Sequence, residues 1–137
     1  MNNVLVDKNG NIMNPKIPRY ERKCKYSTDE INTGDTWING KPIYRKVFNG
    51  IKSGPLQFNI SNLNIDEVTY AYGNLHVEEG VDNQFRHVPS YGSSANYVSY
   101  EVQLNNGILS IGGTNGAYSQ GKVTFVLEYT KTTDTGS

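Results

Sequence analysis

Apolar and polar side chains alternate along residues 122–129, near the end of the chain. The odd positions hold Val, Phe, Leu and Tyr, whereas three of the four even positions are polar, namely Lys122, Thr124 and Glu128. Residues 98–104 alternate in the same way. Because successive side chains of a β-strand point to opposite faces of a sheet, both stretches are predicted to be strands with one buried face. Each inward side chain contributes about 1.5–3 kcal/mol on burial, so these two strands should dominate the core.

A tight turn lies between two further strand candidates in residues 36–48. Asn39-Gly40 is typical of a type I′ hairpin turn, because both residues accept a positive φ. Pro42 cannot donate a ladder hydrogen bond, which places this end of the second strand at an edge or against a loop. The hairpin also holds Trp37, the only tryptophan. We expect Trp37 in the core or at a subunit interface, and we expect the hairpin to pair with the last strand.

Shorter strand candidates fill much of the remaining sequence. Residues 56–60 alternate with a period of two, and residues 108–111 follow a turn at residues 105–107. Residues 68–77 change parity at Gly73-Asn74. Because a one-residue slip turns every later side chain to the other face, this change indicates a β-bulge or a turn at that point, and we favour the bulge.

Three segments are less regular in sequence. Residues 22–26 suggest a strand with charge on one face, and residues 27–32 suggest a short turn or 3₁₀ segment with a hydroxyl residue as its cap. Residues 78–94 lack clear periodicity and contain glycine and proline. They are predicted to be a long loop with Phe85 and Val88 as its anchors.

The composition agrees with strands joined by tight turns. The chain of 137 residues has 14 glycines and 10 tyrosines, a bias that disfavours helices and favours strands. One domain of this size can bury a core of its own. The sequence therefore predicts an all-β fold, an antiparallel β-sandwich of about eight or nine strands with a short N-terminal arm. Residues 1–22 form the arm or a first hairpin, residues 23–131 the sandwich, and residues 132–137 a polar tail.

Charge and hydropathy argue against several classes of partner. Lys and Arg total 13, Asp and Glu total 13, and no basic block is present, so binding of nucleic acid or of an anionic membrane surface is not expected. No apolar run approaches the ~20 residues that span a bilayer, and the N-terminus lacks the pattern of a signal sequence. We therefore expect synthesis in a cytoplasm and no membrane insertion. The single cysteine, Cys24, can form no intramolecular disulfide.

Candidates for catalysis or metal binding are few. The chain has two histidines, and one of them, His76, lies close in sequence to Glu78, Glu79 and Asp82. Their spacing fits no standard zinc or calcium pattern. Adjacent carboxylates in a strand point to opposite faces, which is unsuitable for a glycosidase pair. We therefore predict no enzymatic activity, no catalytic residue, no metal ligand and no cofactor.

Tyrosine is the abundant side chain with most value for binding, because its ring has an apolar face and a polar tip. Tyr91, Tyr97 and Tyr118 fall on loops or polar strand faces, and we predict that they contact sugar rings or protein. Trp37 completes this set of candidate receptor or subunit contacts. Four other tyrosines are in phase with apolar neighbours and are predicted in the core or at its rim: Tyr70, Tyr72, Tyr100 and Tyr129.

Two separated parts of the chain resemble a known module. YSTDE at residues 26–30 precedes GDTWINGKPIYRK at residues 34–46, and LEYTKTTD stands at residues 127–134. These motifs resemble a module common in structural proteins of phages that infect Gram-positive and gut bacteria. The resemblance covers residues 25–134, although the middle is similar only in outline. Asp35, in the loop before the tryptophan, departs from the family's pattern.

The resemblance implies a virion component, because the module often stands at the C-terminus of tail- or head-fibre proteins. It also implies a homotrimer, made in the host cytoplasm, that contacts the host surface and its glycans. The family has no catalytic residues to transfer. The N-terminal arm then becomes the segment that attaches the protein to other virion proteins. Its candidate attachment residues are apolar: Val4, Leu5, Val6, Ile12, Met13 and Ile17.

Two other functions stay open at this point. A stand-alone carbohydrate-binding module would bind glycans as a monomer, through Tyr91 or Tyr118. A hydrolase would need the acidic residues near His76 to converge in one cleft. The oligomeric state and the contacts of the N-terminal arm distinguish these functions from a virion fibre.

Overall fold

The structure is a computed structural model that describes residues 5–6, 8–9, 12–13, 25–77, 83–94, 96–113 and 120–136. Within these ranges the chain forms β-strands, one short 3₁₀ helix at Ser61–Leu63 and the connecting turns, with no α-helix. No helix in these ranges is long and apolar enough to cross a membrane. The strands are β1 (Leu5–Val6), β2 (Ile12–Met13), β3 (Ile31–Thr36), β4 (Pro42–Ser53), β5 (Leu56–Asn59), β6 (Ile65–Val77), β7 (Gln84–Val88), β8 (Ser90–Ser93), β9 (Asn96–Gln103), β10 (Ile108–Gly113) and β11 (Gln120–Lys131).

Nine of these strands make two antiparallel sheets with a shared core. The five-stranded sheet has the order β3-β4-β11-β6-β7, and the four-stranded sheet has the order β5-β10-β9-β8. β1 and β2 pair only with each other, Leu5 opposite Met13 and Val6 opposite Ile12. The predicted antiparallel β-sandwich of eight or nine strands is confirmed.

β11 is the centre of the five-stranded sheet. Its Phe125 lies opposite Phe48 of β4 on one side and opposite Gly73 of β6 on the other. Phe125 is fully buried, and its ring lies 4.9 Å from the ring of Tyr100 in the four-stranded sheet. A second aromatic contact between the sheets joins Phe48 and Phe58 at 5.3 Å. The buried core consists of Phe48, Ile60, Leu63, Leu75, Val88, Val98, Leu109, Ile111, Val123, Phe125, Leu127 and Tyr129.

The hairpin between β3 and β4 turns differently from the prediction. The Trp37 N–H donates to the Lys41 carbonyl at 2.8 Å, and the Gly40 N–H donates to the Trp37 carbonyl at 2.9 Å. Gly40 has a φ of 84°, but Asn39 does not have a positive φ. The turn is therefore not type I′, which needs both. The Asn39 side-chain oxygen instead accepts a hydrogen bond from the Lys41 N–H at 3.1 Å, so the asparagine supports the turn through its side chain.

Trp37 is not a core residue. Its side chain is half-buried beside the turn, and its indole N–H donates to Glu67 Oε2 at 3.1 Å. The expectation of a place in the core is therefore wrong, and a subunit contact stays a prediction. Pro42 opens β4 opposite Thr36, where the pairing of β4 with β11 has already ended at Tyr44. Pro42 consequently removes no hydrogen bond from the centre of the sheet.

The parity switch in β6 has a different position from the one predicted. The register with β11 shifts between Tyr70 and Val68, so the extra residue of the bulge lies there and not at Gly73. Tyr70 consequently points outward and is 60% exposed. Gly73 has another role, because a Cβ at this position would lie 2.5 Å from the Thr124 carbonyl oxygen and 2.6 Å from the Phe125 ring. β6 and β11 can approach this closely only because the residue is glycine.

In the described part of the segment before β3, the predicted strand is absent, and the alternative of a short turn or a 3₁₀ segment is resolved as a turn. Residues 25–26 are not in a strand, and residues 28–29 form a bend in which the Asp29 N–H donates to the Ser27 hydroxyl at 3.0 Å. β3 then begins at Ile31. The serine therefore supports a local turn of the kind that competes with helix formation.

The predicted long loop at residues 78–94 contains two strands in its described part. β7 and β8 meet at a cis Val88–Pro89 peptide, where the chain passes from the five-stranded to the four-stranded sheet. Val88 is buried, as predicted for an anchor. Phe85 is 67% exposed, so its prediction as an anchor is wrong.

Candidate functional site

The four-stranded sheet has a polar outer face, because β9 alternates. The even positions from 98 to 102 are apolar and pack in or against the core. The odd positions of β9 therefore point outward, away from the five-stranded sheet. They are Tyr97, Ser99, Glu101 and Gln103.

The register of the sheet places further polar side chains beside those of β9. Glu101 lies opposite Ser110 of β10, and Ser110 lies opposite Gln57 of β5. In the next row of outward side chains across the sheet, Gln103 of β9 lies opposite Ile108 of β10, and Ile108 lies opposite Asn59 of β5. Neighbouring strands are about 4.8 Å apart, so the side chains of one rung are adjacent. We call these outward polar residues the polar strip: Gln57, Asn59, Ser99, Glu101, Gln103 and Ser110.

Two tyrosines stand at one end of this face. Tyr91 of β8 lies directly opposite Tyr97 of β9, and their rings are 6.5 Å apart with 26° between their planes. Tyr91 is 74% exposed, so its ring face is open to solvent. The structure therefore brings together two of the three tyrosines predicted as contacts. The third, Tyr118, lies outside the described residues.

A shallow groove of about 370 Å³ lies at the opposite end of the face. Its Asn59 side-chain oxygen accepts hydrogen bonds from the Ser61 N–H at 2.9 Å and from the Ser61 hydroxyl at 2.7 Å. These bonds fix the orientation of the Asn59 amide group. The groove is lined by Gln57, Phe58, Asn59, Ser61, Asn106, Gly107 and Ile108.

Side-chain hydrogen bonds connect the groove to the polar strip. The Asn106 amide donates to Gln103 Oε1 at 2.7 Å, and the Gln103 amide donates to the Glu101 carboxylate. Each of the three residues thus has a neighbour that restricts its rotamer. Restricted side chains lose less conformational entropy when a ligand binds.

Charge distinguishes the two sheets. Glu101 is the only Asp, Glu, Lys or Arg residue in β5, β8, β9 and β10, all of which are described in full. A ligand on the outer face of the four-stranded sheet would meet one carboxylate and no cation from these strands. The strands of the five-stranded sheet hold charges of both signs: Asp35, Arg45, Lys46, Lys52, Asp66, Glu67, Arg86, Lys122, Glu128 and Lys131.

The five-stranded sheet is bound by residues 25–30, which we call the N-terminal tether. The Val47 N–H donates to the Ser27 carbonyl at 2.9 Å. The guanidinium group of Arg45 lies 4.5 Å from the centre of the Tyr26 ring. The Tyr72 hydroxyl donates to the Tyr26 hydroxyl at 2.9 Å. Burial and this hydrogen bond raise the pKa of Tyr72.

Glu30, the last residue of the N-terminal tether, contacts two side chains of β11. The Tyr129 hydroxyl donates to Glu30 Oε1 at 2.6 Å, and Lys131 Nζ lies 2.7 Å from Glu30 Oε2. Tyr129 is fully buried, so the carboxylate satisfies a hydroxyl that water does not reach. Burial and the bond to Glu30 raise the pKa of Tyr129.

Residues 132–136, which we call the C-terminal tether, bind the same sheet. The Thr132 N–H donates to the Asn64 carbonyl at 2.8 Å. The Tyr44 hydroxyl donates to the Asp134 carboxylate at 2.8 Å. This hydrogen bond, together with burial, raises the pKa of Tyr44 from 10.0 to about 12.

Exposed aromatic rings also stand on the five-stranded sheet. The rings of His76 and Phe85 are parallel and 4.0 Å apart, and those of Tyr70 and Tyr72 are 5.0 Å apart. Tyr70 was predicted in the core or at its rim, but it is mostly exposed. Tyr129, in contrast, is fully buried, as predicted.

The residues considered for catalysis do not form a described cluster. His76 Nε2 lies 2.6 Å from Asn83 Oδ1, whereas Glu78, Glu79 and Asp82 lie outside the described residues. In the described part of the chain, no group of three or more His, Cys, Asp or Glu side chains could hold a metal ion.

The predicted attachment residues are described only in part. Leu5, Val6, Ile12 and Met13 belong to the small sheet of β1 and β2, and Val4 and Ile17 lie outside the described residues. The polar strip was not predicted from the sequence. Its signal is present in the outward positions of β9, but the neighbours from β5 and β10 depend on the strand order.

No family model, no curated protein and no solved structure matches this chain.

Proposed function

We propose that this chain is a virion structural protein, a head- or tail-fibre component whose β-sandwich contacts the host surface. What supports this proposal is the placement of the residues that resemble the phage module. Residues 26–30 and 127–134 are far apart in sequence, but Glu30 contacts both Tyr129 and Lys131. The separated motifs thus belong to one contiguous structural unit, as expected if they are the signature of one module.

The location of the protein on particles tests this proposal. Particles are purified from a culture that produces the chain, and their proteins are identified by mass spectrometry and by immunogold labelling. We expect the chain in purified particles at a constant ratio to the other virion proteins. A chain that stays in the cell lysate and is absent from purified particles would contradict the proposal.

We further propose that the N-terminal arm attaches the protein to other virion proteins. The support is that β1 and β2 pair only with each other among the described strands. An isolated two-stranded hairpin is marginal in water, so it needs a packing partner. Deletion of residues 1–18 should leave the sandwich folded, as judged by its circular dichroism spectrum, and should remove the protein from particles. Normal incorporation of the truncated protein would refute this role.

The proposed assembly is a homotrimer made in the host cytoplasm, which follows from the resemblance. Light scattering at micromolar concentration measures the mass directly. A stable monomer with a mass of 15.3 kDa would count against the trimer.

A stand-alone carbohydrate-binding module is the second candidate, and the exposed Tyr91–Tyr97 pair favours it. This function requires glycan binding by a monomer that is absent from particles, so the analysis of purified particles and the light-scattering measurement separate it from the first. We do not propose a hydrolase on the outer face of the four-stranded sheet. Glu101 is the only carboxylate in the described strands of this sheet, whereas glycoside hydrolysis commonly uses two. The acidic residues near His76 lie outside the described residues.

A further inference from the structure

We infer that the outer face of the four-stranded sheet binds an uncharged oligosaccharide, which lies along β9 from the Tyr91–Tyr97 pair to the groove beside Asn59. This inference rests on the proposed contact with the host surface, and it specifies the site and the class of ligand. Four features of the face support it.

The tyrosine pair supplies the stacking surface. A pyranose ring has a face of C–H groups and hydroxyl groups around its edge. A tyrosine ring offers an apolar face and a polar tip, which suits both parts of the sugar. Tyr91 is 74% exposed and stands beside Tyr97 at 6.5 Å. The two rings therefore form a surface wider than one side chain.

The polar strip supplies groups that match sugar hydroxyls. A hydroxyl both donates and accepts hydrogen bonds, and so do the amide and hydroxyl side chains of the strip. Gln57, Ser110 and Glu101 form one rung across three strands. The Gln103 amide already orients the Glu101 carboxylate, which accepts further hydrogen bonds. The strip thus supplies the polar groups that fix the orientation of a ligand, while the tyrosine pair supplies the aromatic surface.

The charge of the outer face favours neutral over acidic glycans. β5, β8, β9 and β10 contain no Lys or Arg, and their one charged residue is Glu101. A sialylated, uronic or sulfated glycan would bring a second negative charge near Glu101 with no cation from these strands to offset it. Like charges at short distance repel, so acidic glycans are disfavoured. The ligand is therefore a neutral oligosaccharide.

The length of the outer face favours an oligosaccharide over a monosaccharide. The outward positions of β9 extend from Tyr97 to Gln103, which corresponds to about 20 Å of strand. The groove at Asn59 and Asn106 continues the face beyond that point. Several sugar rings in a row fill this length, with one end stacked on the tyrosines and the other end in the groove.

A glycan array of neutral and acidic oligosaccharides, followed by calorimetry on the hits, tests this inference on the full chain. We expect binding to neutral oligosaccharides and weaker binding to acidic analogues with the same backbone. Tyr91→Ala should weaken the affinity about tenfold or more, as loss of an aromatic anchor does. Tyr91→Phe keeps the ring and should retain most of the affinity. Tyr70→Ala, which truncates a tyrosine on the other sheet, is the matched control and should bind normally.

An added positive charge tests directly why neutral glycans are preferred over acidic ones. Ser99→Lys places a cation in the polar strip beside Glu101, so the preference for neutral over acidic glycans should decrease or reverse. An unchanged preference, binding to acidic glycans only, no binding to any glycan on the array, or an equal loss in Tyr70→Ala would each overturn the inference.

Failure of the site and failure of the proposed function give different results. A chain that is present on particles and binds no glycan keeps the virion proposal and rejects this site. A chain that binds neutral glycans through Tyr91 and is absent from particles keeps the site and rejects the virion proposal.

Discussion

The two sheets differ in the other segments of the chain that bind them. Both tethers bind the five-stranded sheet, at Tyr72 on its outer face and at Tyr44 and Tyr129, which pack in or against the core. The described parts of the tethers make no such bonds to the four-stranded sheet, whose outer face is polar and carries the single charge of Glu101. A hydroxyl that holds a tether is not free for a ligand. We therefore expect substitutions at the tether contacts of the five-stranded sheet to change stability, and substitutions on the outer face of the four-stranded sheet to change binding.

The tethers also use different chemistry from the polar strip. Glu30 pairs with Lys131 and accepts from the buried Tyr129 hydroxyl. Ion pairs near a protein surface contribute about 0–1 kcal/mol each. A hydrogen bond to a buried hydroxyl matters more, because its loss leaves a group that water cannot reach. The stability of the tethers should therefore depend mainly on the tyrosine hydroxyls.

The largest effect is expected from truncation at the centre of the five-stranded sheet. Phe125 is fully buried on the middle strand, whereas Phe58 is half-buried on an edge strand of the four-stranded sheet. Phe125→Ala should lower the free energy of unfolding by about 3–5 kcal/mol, and Phe58→Ala by roughly half as much. Urea denaturation monitored by circular dichroism measures both. Equal losses would show that the two sheets contribute equally to the core.

A smaller loss is expected from the N-terminal tether. Glu30→Ala leaves the buried Tyr129 hydroxyl without its acceptor, so the free energy of unfolding should decrease by about 1–3 kcal/mol. Glu101→Ala removes a carboxylate from the polar strip instead, and should change stability by no more than about 0.5 kcal/mol. Chemical denaturation of both variants at one pH gives the comparison. If the two losses were alike, Glu30 would be an ordinary surface residue.

Much of the sandwich could be predicted from the sequence because apolar and polar side chains alternate along two strands, with Val126 as the one exception. β9 and β11 have a buried apolar face, and the period of two is visible in residues 98–104 and 122–129. β7 and β8 could not be found in this way. Only Val88 of β7 is buried, Phe85 points outward, and the sequence of β8 is Ser-Tyr-Gly-Ser. Strands at sheet edges bury little, so their sequences need not alternate.

The candidate site could be predicted only in part. Tyr91 and Tyr97 stand on polar stretches, which identified them as contacts, but their direct pairing follows from the antiparallel register of β8 and β9. Gln57 and Glu101 are far apart in sequence and meet across β10 because the sheet order is not the order of the chain. A pattern within one strand carries no information on which strand lies beside it.

The C-terminal tether should make stability depend on pH in the alkaline range. The hydrogen bond to Asp134 raises the pKa of Tyr44 to about 12, above its ordinary value of 10.0. Because folding favours the protonated phenol, this contribution is fully present below about pH 10 and is lost as the pH rises toward 12. Thermal unfolding between pH 9 and pH 12 should show a steeper decline for the wild-type chain than for Tyr44→Phe. Burial raises the pKa of Tyr72 and Tyr129 in the wild-type chain and in Tyr44→Phe alike. Parallel declines of the two proteins would therefore show that Tyr44 does not contribute to the loss of stability at high pH.

The smallest effect on stability is expected at the tyrosine pair. Tyr91 is 74% exposed on an edge strand, so Tyr91→Ala should change the free energy of unfolding by no more than about 0.5 kcal/mol. Tyr72→Ala is the counterpart on the five-stranded sheet. It removes a half-buried ring and the hydrogen bond to Tyr26, and should cost about 1 kcal/mol or more. Denaturation curves of Tyr91→Ala and Tyr72→Ala, measured under the same conditions, give the two losses in the free energy of unfolding. A loss at Tyr91 as large as that at Tyr72 would mean that the ring packs as part of the fold, and the outer face of the four-stranded sheet would then no longer be free for a ligand.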